Sequence, residues 1–427
     1  MQVSVENTGS LERKMTVALP SERLDAEVSK RLKSMAPSVK LSGFRPGKVP
    51  FKVIEQRYGN QVRQEALGEI MSSSFYEAVA KESLRPAGMP KIEPKTDGAA
   101  NEISYVAVFE VYPEIEVKGL DKISVERPKA EISDKDIDGM IEKLRQQRVE
   151  WEVVEAAAKL DDRVTVDFRG TIDGEVFQGG EGSDLPVVLG SRSMIEGFED
   201  ALTGKVVGDN VEVDLTFPES YASAEVAGKA AHFSLQVKKV ESPVLPEIND
   251  EFVAQFGVKE GGVEGLRADV RKNMQRELDR VISSKLKTQV MDGLLGATDF
   301  DTPAALIEEE AKRYKEQMGQ QYGGAQNIPD EMAQQAATRR VALGLILAEI
   351  IRQNDMKADA DRVKAEVESM ATAYGEPEQV IKWYYSNPQR LQEVESMVLE
   401  DQVVDWVLEQ AQVTDNMTTF DELTSAA

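Results

Sequence analysis

A short segment near the N-terminus combines residue types that could bind an anionic surface. Residues 43–50, Gly-Phe-Arg-Pro-Gly-Lys-Val-Pro, hold two glycines, two prolines, two cations and one aromatic side chain. Glycine and proline at this density predict a loop, because glycine reaches unusual φ angles and proline fixes φ. Apolar residues at helical spacing lie on both sides, from Leu24 to Met35 and from Val62 to Met71. We therefore predict the tip of a helix–loop–helix that presents its aromatic and basic side chains to solvent.

Basic side chains cluster around this loop, although the chain as a whole is acidic. The formal net charge is −25, which argues against general binding to nucleic acid. Between Lys30 and Arg57, however, eight lysines and arginines accompany only one acidic residue, Glu55. One local basic cluster in an acidic protein suits docking at one defined anionic site. Two alternatives stay open: a solvated basic helix face, and an ordinary polar loop whose Phe44 folds back onto its helices.

The pattern Gly-Phe-Arg-x-Gly-x-x-Pro in this loop resembles the ribosome-docking signature of the trigger factor family, bacterial chaperones that sit at the polypeptide exit tunnel. The family usually carries a basic residue directly after the Phe–Arg pair, whereas this sequence has Pro46 there and its next cation is Lys48. The resemblance implies docking on the large ribosomal subunit near the exit tunnel, with contacts to ribosomal protein and ribosomal RNA. The residues that it assigns to docking are Gly43, Phe44, Arg45, Gly47 and Lys48.

Residue composition excludes several classes of chemistry. The chain has no cysteine, so disulfides, thiolate catalysis and cysteine-ligated zinc are absent. Its one histidine, His232, argues against a histidine-rich metal site and a Ser-His-Asp triad, and strand alternation should leave it on the surface. No apolar run reaches the length of a membrane span, and neither a secretory signal nor a Gly-x-x-x-x-Gly-Lys-Ser/Thr nucleotide loop is visible. We therefore expect no metal, cofactor, nucleotide or membrane partner, and a cytoplasmic location.

Residues 1–112 show the pattern of an α+β segment. Alternating apolar residues predict strands over 15–19 and 103–111, and these two strands should pair with each other. The first helix should have its N-terminal cap at residues 20–21, and the second should run over about 60–82. The helix pair would then stand out from a small sheet, with the loop at its tip.

Residues 113–150 have the pattern of a connector. Apolar residues are sparse among charges, and Pro128 breaks the chain. Ser133 and Asp136 have the spacing of a capping box, which predicts a helix directly after Ser133. We expect no catalytic role for this segment.

Strands dominate residues 151–243. Alternating apolar residues predict strands over 164–168, 184–189, 210–215 and 233–237, and one short helix over about 194–202. Four pieces resemble the FKBP-type peptidyl-prolyl isomerase family in their order and spacing: 166–170, 173–177, 194–199 and the strand through Phe233. The resemblance implies an FKBP-like fold, built from a β-sheet and a short helix, that catalyses cis/trans isomerisation of Xaa–Pro bonds.

Isomerisation of an Xaa–Pro bond requires neither a nucleophile nor a metal, because no bond is made or broken. The barrier is about 20 kcal/mol, and an apolar aromatic pocket lowers it by binding the twisted amide better than the planar one. By matching position, the FKBP resemblance assigns this pocket to Phe168, Phe177, Met194, Ile195, Phe198, Tyr221 and Phe233. Phe198 stands where single-domain isomerases often have Trp, and Gln178 replaces an acidic residue common in that family. The alternative for Phe168 and Phe233 is that they are plain core residues.

Residues 244–427 are predicted to be helical throughout. Apolar residues from Val263 to Val281 keep steps of three and four, and Pro303 and Pro329 suit the starts of two further helices. Later helices are expected around 363–373 and 391–411. Eight methionines are spread over the segment, and their flexible side chains suit an adaptable apolar surface, although any single one could equally be core.

At 427 residues, the chain is too long for one hydrophobic core. The resemblance implies a multidomain α+β protein with an N-terminal α+β docking domain, an FKBP-like domain and an all-α C-terminal domain with projecting arms. The implied function is an ATP-independent chaperone that holds nascent and unfolded polypeptides at the exit tunnel and isomerises Xaa–Pro bonds, with a homodimer away from the ribosome. Two other functions stay open: an isomerase whose flanking domains deliver substrate, and a binding protein with an inactive pocket.

Overall fold

The chain folds into two units, each assembled from segments that are far apart in sequence. A computed structural model describes residues 1–39, 41, 44, 49–95, 102–221, 223, 225–258, 260–322, 328–372 and 374–425. The first unit contains Met1–Arg127 and Ile282–Asn416, and the second contains Pro128–Val281 and Met417–Ala427.

The N-terminal part of the first unit combines four strands with two helices. Its elements are β1 (Gln2–Asn7), β2 (Glu12–Pro20), α1 (Ser21–Met35), α2 (Phe51–Lys81), β3 (Pro86–Lys95) and β4 (Glu102–Val111). The strands form an antiparallel sheet in the order β1-β2-β4-β3, so the predicted pairing of the early and late strands is confirmed. Met15 and Val17 point from β2 into a core that Phe75 of α2 also fills.

The edge strands β1 and β3 are additional to the two strands that alternation predicts. β3 contains Pro86, Pro90 and Pro94, which cannot donate backbone hydrogen bonds. An edge position tolerates them, because only one side of that strand is paired. β1 contributes only the half-buried Val3 and Val5 to the core, so its apolar pattern is short.

One helix boundary in this part agrees with the prediction and one differs from it. The N-cap of α1 is Pro20, within the predicted cap at residues 20–21, although proline offers no side-chain hydrogen bond and Ser21 is the first helical residue. The predicted start of the second helix at about 60 is wrong, since α2 begins at Phe51. Ile54 is fully buried in a cluster with residues of α1. Tertiary packing therefore continues the helix through Gly59, although glycine disfavours a helix interior.

A five-stranded sheet organises the second unit. After a short 3-10 turn, the chain forms β5 (Ser124–Lys129), most of which still belongs to the first unit. The second unit then contains α3 (Asp134–Gln146), β6 (Glu150–Val153), β7 (Arg163–Ile172), β8 (Glu175–Val188), α4 (Phe198–Leu202), β9 (Asn210–Thr216), β10 (Ala230–Val244) and α5 (Asp250–Ala254). The sheet has the order β6-β10-β7-β8, and β9 also pairs with β10. The capping box of α3 is confirmed, because Ser133 Oγ accepts from the Asp136 N–H and the Asp136 carboxylate accepts from the Ser133 N–H.

The short helix α4 begins later than the predicted start at about 194. Gly197, the residue before Phe198, has a φ of +89°. This left-handed conformation cannot continue a right-handed helix and suits glycine. Met194 and Ile195 therefore lie in the loop that leads into α4.

The remaining described chain is helical except for one strand. It forms α6 (Gly262–Ala297), α7 (Ala304–Tyr322), α8 (Asp330–Gln353), α9 (Ala360–Ala371), α10 (Pro377–Ser386), α11 (Pro388–Leu408), β11 (Gln412–Met417) and α12 (Phe420–Ser425). The helices predicted after Pro303 and Pro329 are confirmed. The expectation of helix throughout is wrong at β11, which pairs with β5 and gains backbone hydrogen bonds that no local pattern reveals. Within the part that the structure describes, no helix is long and apolar enough to cross a membrane.

Candidate functional site

An apolar cavity of about 570 Å³ lies among the sheet and α4 in the second unit. β7, β8 and β10 contribute Phe168, Phe177 and Phe233 to its lining. The loop before α4 adds Met194 and Ile195. The first residue of α4 is Phe198, and the segment after β9 supplies Tyr221. Every one of the seven residues that the FKBP resemblance assigns therefore lines this cavity.

Aromatic rings pack around Phe233 in edge-to-face or tilted geometry. The Phe233 ring centroid lies 5.7 Å from that of Phe198, 6.1 Å from that of Phe177 and 6.2 Å from that of Phe217. Phe217 also meets Tyr221 with a centroid distance of 4.8 Å. Phe198 and Phe233 are almost fully buried, whereas Tyr221 is 43% exposed. The cavity therefore has a buried aromatic floor and an exposed aromatic rim.

Glycines on neighbouring strands make room for two of these rings. Phe168 pairs across strands with Gly182, and Phe233 pairs with Gly170. A Cβ atom built on Gly170 would lie 2.6 Å from Cε1 of Phe233, and one on Gly182 would lie 2.5 Å from Cε1 of Phe168. Both distances are below van der Waals contact, so each ring needs the space that a side chain would occupy.

Phe198 and Phe233 belong at once to the buried core and to the floor of the cavity. The core alternative and the pocket interpretation therefore do not exclude each other for Phe233. Phe168 is only partly buried against the same core.

The prediction missed Phe217, which contacts three of the other rings. Its signal lay in the sequence, because Val211, Val213, Leu215 and Phe217 alternate along β9 and just beyond it. The predicted strand ends at residue 215, one alternation too early. Leu185 and Val226 also line the cavity without having been predicted.

The lining is chemically neutral apart from one carboxylate. Among the described lining residues, Glu196 carries the only full charge, and Gln178 contributes a neutral amide. The described residues contain no group of three His, Cys, Asp or Glu side chains that could hold a metal. Such a cavity can bind a small apolar ring and withdraw an adjoining amide from water.

His232 lies on the face of β10 opposite Phe233, and its side chain is 52% exposed, so the predicted surface position is confirmed. Its Nδ1 lies 2.7 Å from the Asp214 carboxylate, and its Nε2 lies 3.0 Å from the Glu212 carboxylate. The hydrogen bond to Asp214 is the main reason why the pKa of His232 is raised above its usual value. This histidine therefore belongs to a surface ion cluster rather than to the cavity.

The predicted docking loop is described only in part. Gly43, Arg45, Gly47 and Lys48 lie outside the described residues. Phe44 is 41% exposed. The cluster below the loop is formed by Leu32, Val39, Val49, Ile54 and Val62 with partly buried neighbours, and Phe44 is not among them. The Phe44 side chain is therefore not part of that cluster, and it is partly exposed.

Some of the basic residues around the loop are neutralised by local ion pairs. Arg31 pairs with both Glu27 and Glu69, and Lys30 lies 3.5 Å from Glu27. Exposed cations with no ion pair to any described residue are Lys33, Lys52 and Arg57. Fewer cations are therefore free to meet an anionic partner than the sequence count suggests.

Protein-family models match three parts of the chain. A model described as bacterial trigger factor protein matches residues 1–144, and one described as its C-terminus matches residues 262–409. A model of FKBP-type peptidyl-prolyl cis-trans isomerase matches residues 154–238, the segment that contains the cavity.

Relatives of known identity extend this similarity over the whole chain. The trigger factor of Pseudomonas putida (strain GB-1) is 51% identical over 430 residues, covering 100% of this chain and 98% of the relative. That of Pseudomonas syringae pv. syringae (strain B728a) is 52% identical over 425 residues, covering 99% and 98%. A solved structure from a study of substrate recognition by the trigger factor chaperone shares the fold with a TM-score of 0.50 and 18% identity, covering 96% of this chain and 99% of that one. The chain therefore belongs to the trigger factor family and contains an FKBP-type prolyl isomerase domain.

Proposed function

We propose that the cavity around Phe233 is the site at which this chain isomerises Xaa–Pro bonds. Family membership makes the chain a ribosome-associated chaperone of nascent polypeptides with an isomerase domain. The observation that carries the proposal is convergence: seven residues from five separate stretches of sequence line one apolar cavity. The residues proposed for the site are Phe168, Phe177, Met194, Ile195, Phe198, Tyr221 and Phe233.

The proposed mechanism uses shape and desolvation rather than proton transfer. The proline ring packs on the buried rings of Phe198 and Phe233, and the exposed Tyr221 covers the preceding residue. Removal of the amide from water weakens its charge-separated resonance form, and a wall that fits the twisted bond lowers the barrier further. The open rim at Tyr221, which is 43% exposed, leaves the cavity accessible to a substrate chain.

Truncation of Tyr221 tests the site with little risk to the fold, because this side chain is already exposed. We expect Tyr221→Ala to lower kcat/KM on an Xaa–Pro peptide by about two- to tenfold, the loss of one aromatic contact of about 0.5–1.5 kcal/mol. Tyr76→Ala is the matched control, since Tyr76 is 55% exposed on α2. Full activity in both Tyr221→Ala and Phe177→Leu, with native circular dichroism, would reject the cavity as the isomerase site.

We further propose that the loop over residues 43–48 docks the chain on the large ribosomal subunit near the exit tunnel. The contacts would be to ribosomal protein and ribosomal RNA. The exposure of Phe44 and the free cations Lys33, Lys52 and Arg57 support this proposal. Pro46 stands where the family usually has a cation, so these neighbouring cations would supply part of the missing charge.

We propose a division of labour along the chain. Residues 1–112 dock, residues 113–150 connect, residues 151–243 isomerise, and residues 244–427 hold unfolded polypeptide. Exposed apolar side chains in the last segment support this division: Met332, Tyr374, Trp383, Tyr385, Met397 and Met417. The chaperone would act in the cytoplasm and would need no nucleotide. It would form a homodimer away from the ribosome, and sedimentation equilibrium of the purified chain would test this.

A further inference from the structure

The carboxylate of Glu199 accepts five hydrogen bonds from one short loop, residues 190–194. Its Oε2 accepts from the N–H groups of Gly190 at 2.8 Å and Arg192 at 3.1 Å. Its Oε1 accepts from the N–H groups of Ser193 at 2.9 Å and Met194 at 3.3 Å, and from the Ser191 hydroxyl at 3.1 Å. Four backbone donors thus converge on one side chain.

The backbone of the 190–194 loop is in a conformation that needs external support. Gly190 has a φ of +92° and Arg192 a φ of +55°. A non-glycine residue in this left-handed region costs roughly 1–3 kcal/mol and persists only where its surroundings hold it. Successive N–H groups that point to one side form an anion-binding concavity, and here the anion is the Glu199 side chain.

The same carboxylate joins the loop to the floor of the cavity. The loop ends at Met194, and Met194 and Ile195 line the cavity wall. Glu199 follows Phe198, the floor residue, in the first turn of α4. We propose that Glu199 is a positioning residue of the isomerase, which fixes the 190–194 loop so that Met194 and Ile195 form the cavity wall before substrate binds. This inference depends on the proposed isomerase function of the cavity.

The electrostatics agree with this geometry. Partial burial opposes ionisation of Glu199, but hydrogen bonds from Arg192, Met194 and Gly190 outweigh it and lower the pKa of the carboxyl below its usual value. The group is therefore an anion at neutral pH, and its hydrogen bonds are charge-assisted, which makes them stronger than neutral ones.

Glu199→Gln is the decisive variant, because it keeps the size of the side chain but replaces one acceptor oxygen by an NH₂ donor. That donor faces N–H groups of the loop, so at least two of the five bonds are lost. We expect kcat/KM on an Xaa–Pro peptide to fall about tenfold, mainly through a higher KM, since a loose loop must be ordered before either substrate state is bound. We also expect amide hydrogen exchange at Arg192 and Ser193 to accelerate about tenfold.

Two further variants separate positioning from general support. Asp200→Asn makes the same charge change in the same turn of α4, and the Asp200 side chain makes no hydrogen bond to the loop. The Asp200→Asn variant should leave KM and the amide hydrogen exchange of the 190–194 loop unchanged. Glu199→Asp keeps both oxygens on a shorter side chain, and it should restore part of the KM and part of the exchange protection.

Three outcomes would overturn the proposal. The first is wild-type KM and kcat in Glu199→Gln, even if loop exchange accelerates. The second is faster exchange throughout β7 and β10, which would make Glu199 a support of the whole domain. The third is no difference between Glu199→Asp and Glu199→Gln. The proposal that the cavity is the isomerase site is tested separately, and full activity in Tyr221→Ala and Phe177→Leu would reject it.

Discussion

Gly170 and Phe233 lie opposite each other across the β7–β10 pair, and the Phe233 ring fills the space above the glycine. A Cβ atom on Gly170 would lie 2.6 Å from Cε1 of Phe233 and 2.8 Å from Cε1 of Phe177. The glycine therefore sets the positions of two rings that line the cavity. Its role is steric, since its φ is not in the left-handed region.

Gly170→Ala should move both rings into the cavity. Overpacking of this kind costs about 1–3 kcal/mol of unfolding free energy, and the narrowed cavity should lose most of its isomerase activity. Gly139→Ala is the control, because a Cβ at this position in α3 would have no atom within 4 Å apart from its chain neighbours and the backbone of its own helix. It should stabilise the protein by about 0.5–1 kcal/mol. Denaturant unfolding and peptide kinetics measure both effects, and an active, equally stable Gly170→Ala protein would contradict the steric argument.

Removal of the loop side chains should abolish ribosome binding. We expect Phe44→Ala combined with Arg45→Ala to prevent co-sedimentation with ribosomes while peptide isomerisation stays normal. Binding of the unchanged protein should weaken as salt rises, because contacts between cations and an anionic surface release counterions. Pelleting at two salt concentrations measures both effects, with Tyr76→Ala as a control on the same domain. Unchanged pelleting of the double variant would reject the loop as the anchor.

Exposed aromatic residues of α10 should contribute to holding unfolded chains. α10 has no fully buried residue, and Trp383 and Tyr385 are each 47% exposed. Trp383→Ser combined with Tyr385→Ser should weaken suppression of client aggregation, measured by light scattering, and leave peptide isomerisation unchanged. Glu378→Ser combined with Lys382→Ser changes the same helix without removing aromatic surface. Equal suppression of aggregation by the unchanged protein and by both double variants would argue against α10 as a holding surface.

Protonation of His232 should stabilise the native state at lower pH. Asp214 and Glu212 raise the folded-state pKa above the usual 6.5. Folding therefore favours the protonated form, so this stability is fully present below about 6.5 and is lost as pH rises through the higher folded-state pKa. His232→Gln should remove that part of the pH dependence, as measured by denaturant unfolding between pH 6 and pH 8.5. An identical pH profile for both proteins would exclude the histidine as the source.

Local patterns in the sequence predict several elements correctly. The strand over 15–19, the capping box at Ser133 and the helices after Pro303 and Pro329 depend on neighbouring residues, so their signals are contiguous. The start of α2 and the strand β11 were missed for the opposite reason. Ile54 extends α2 by packing against α1, and β11 forms by pairing with β5, which lies far away in the chain.

The sequence by itself determined the family and the types of residue available for the proposed chemistry. The resemblance to FKBP-type isomerases also assigned seven residues to a pocket, and these residues line the cavity. Only the tertiary structure decided how they meet: the contact of Phe217 with three rings, the glycines beneath Phe168 and Phe233, and the five hydrogen bonds of Glu199. These relationships join residues on different strands and loops, and their distances depend on strand register and loop conformation, which no local pattern of residues specifies.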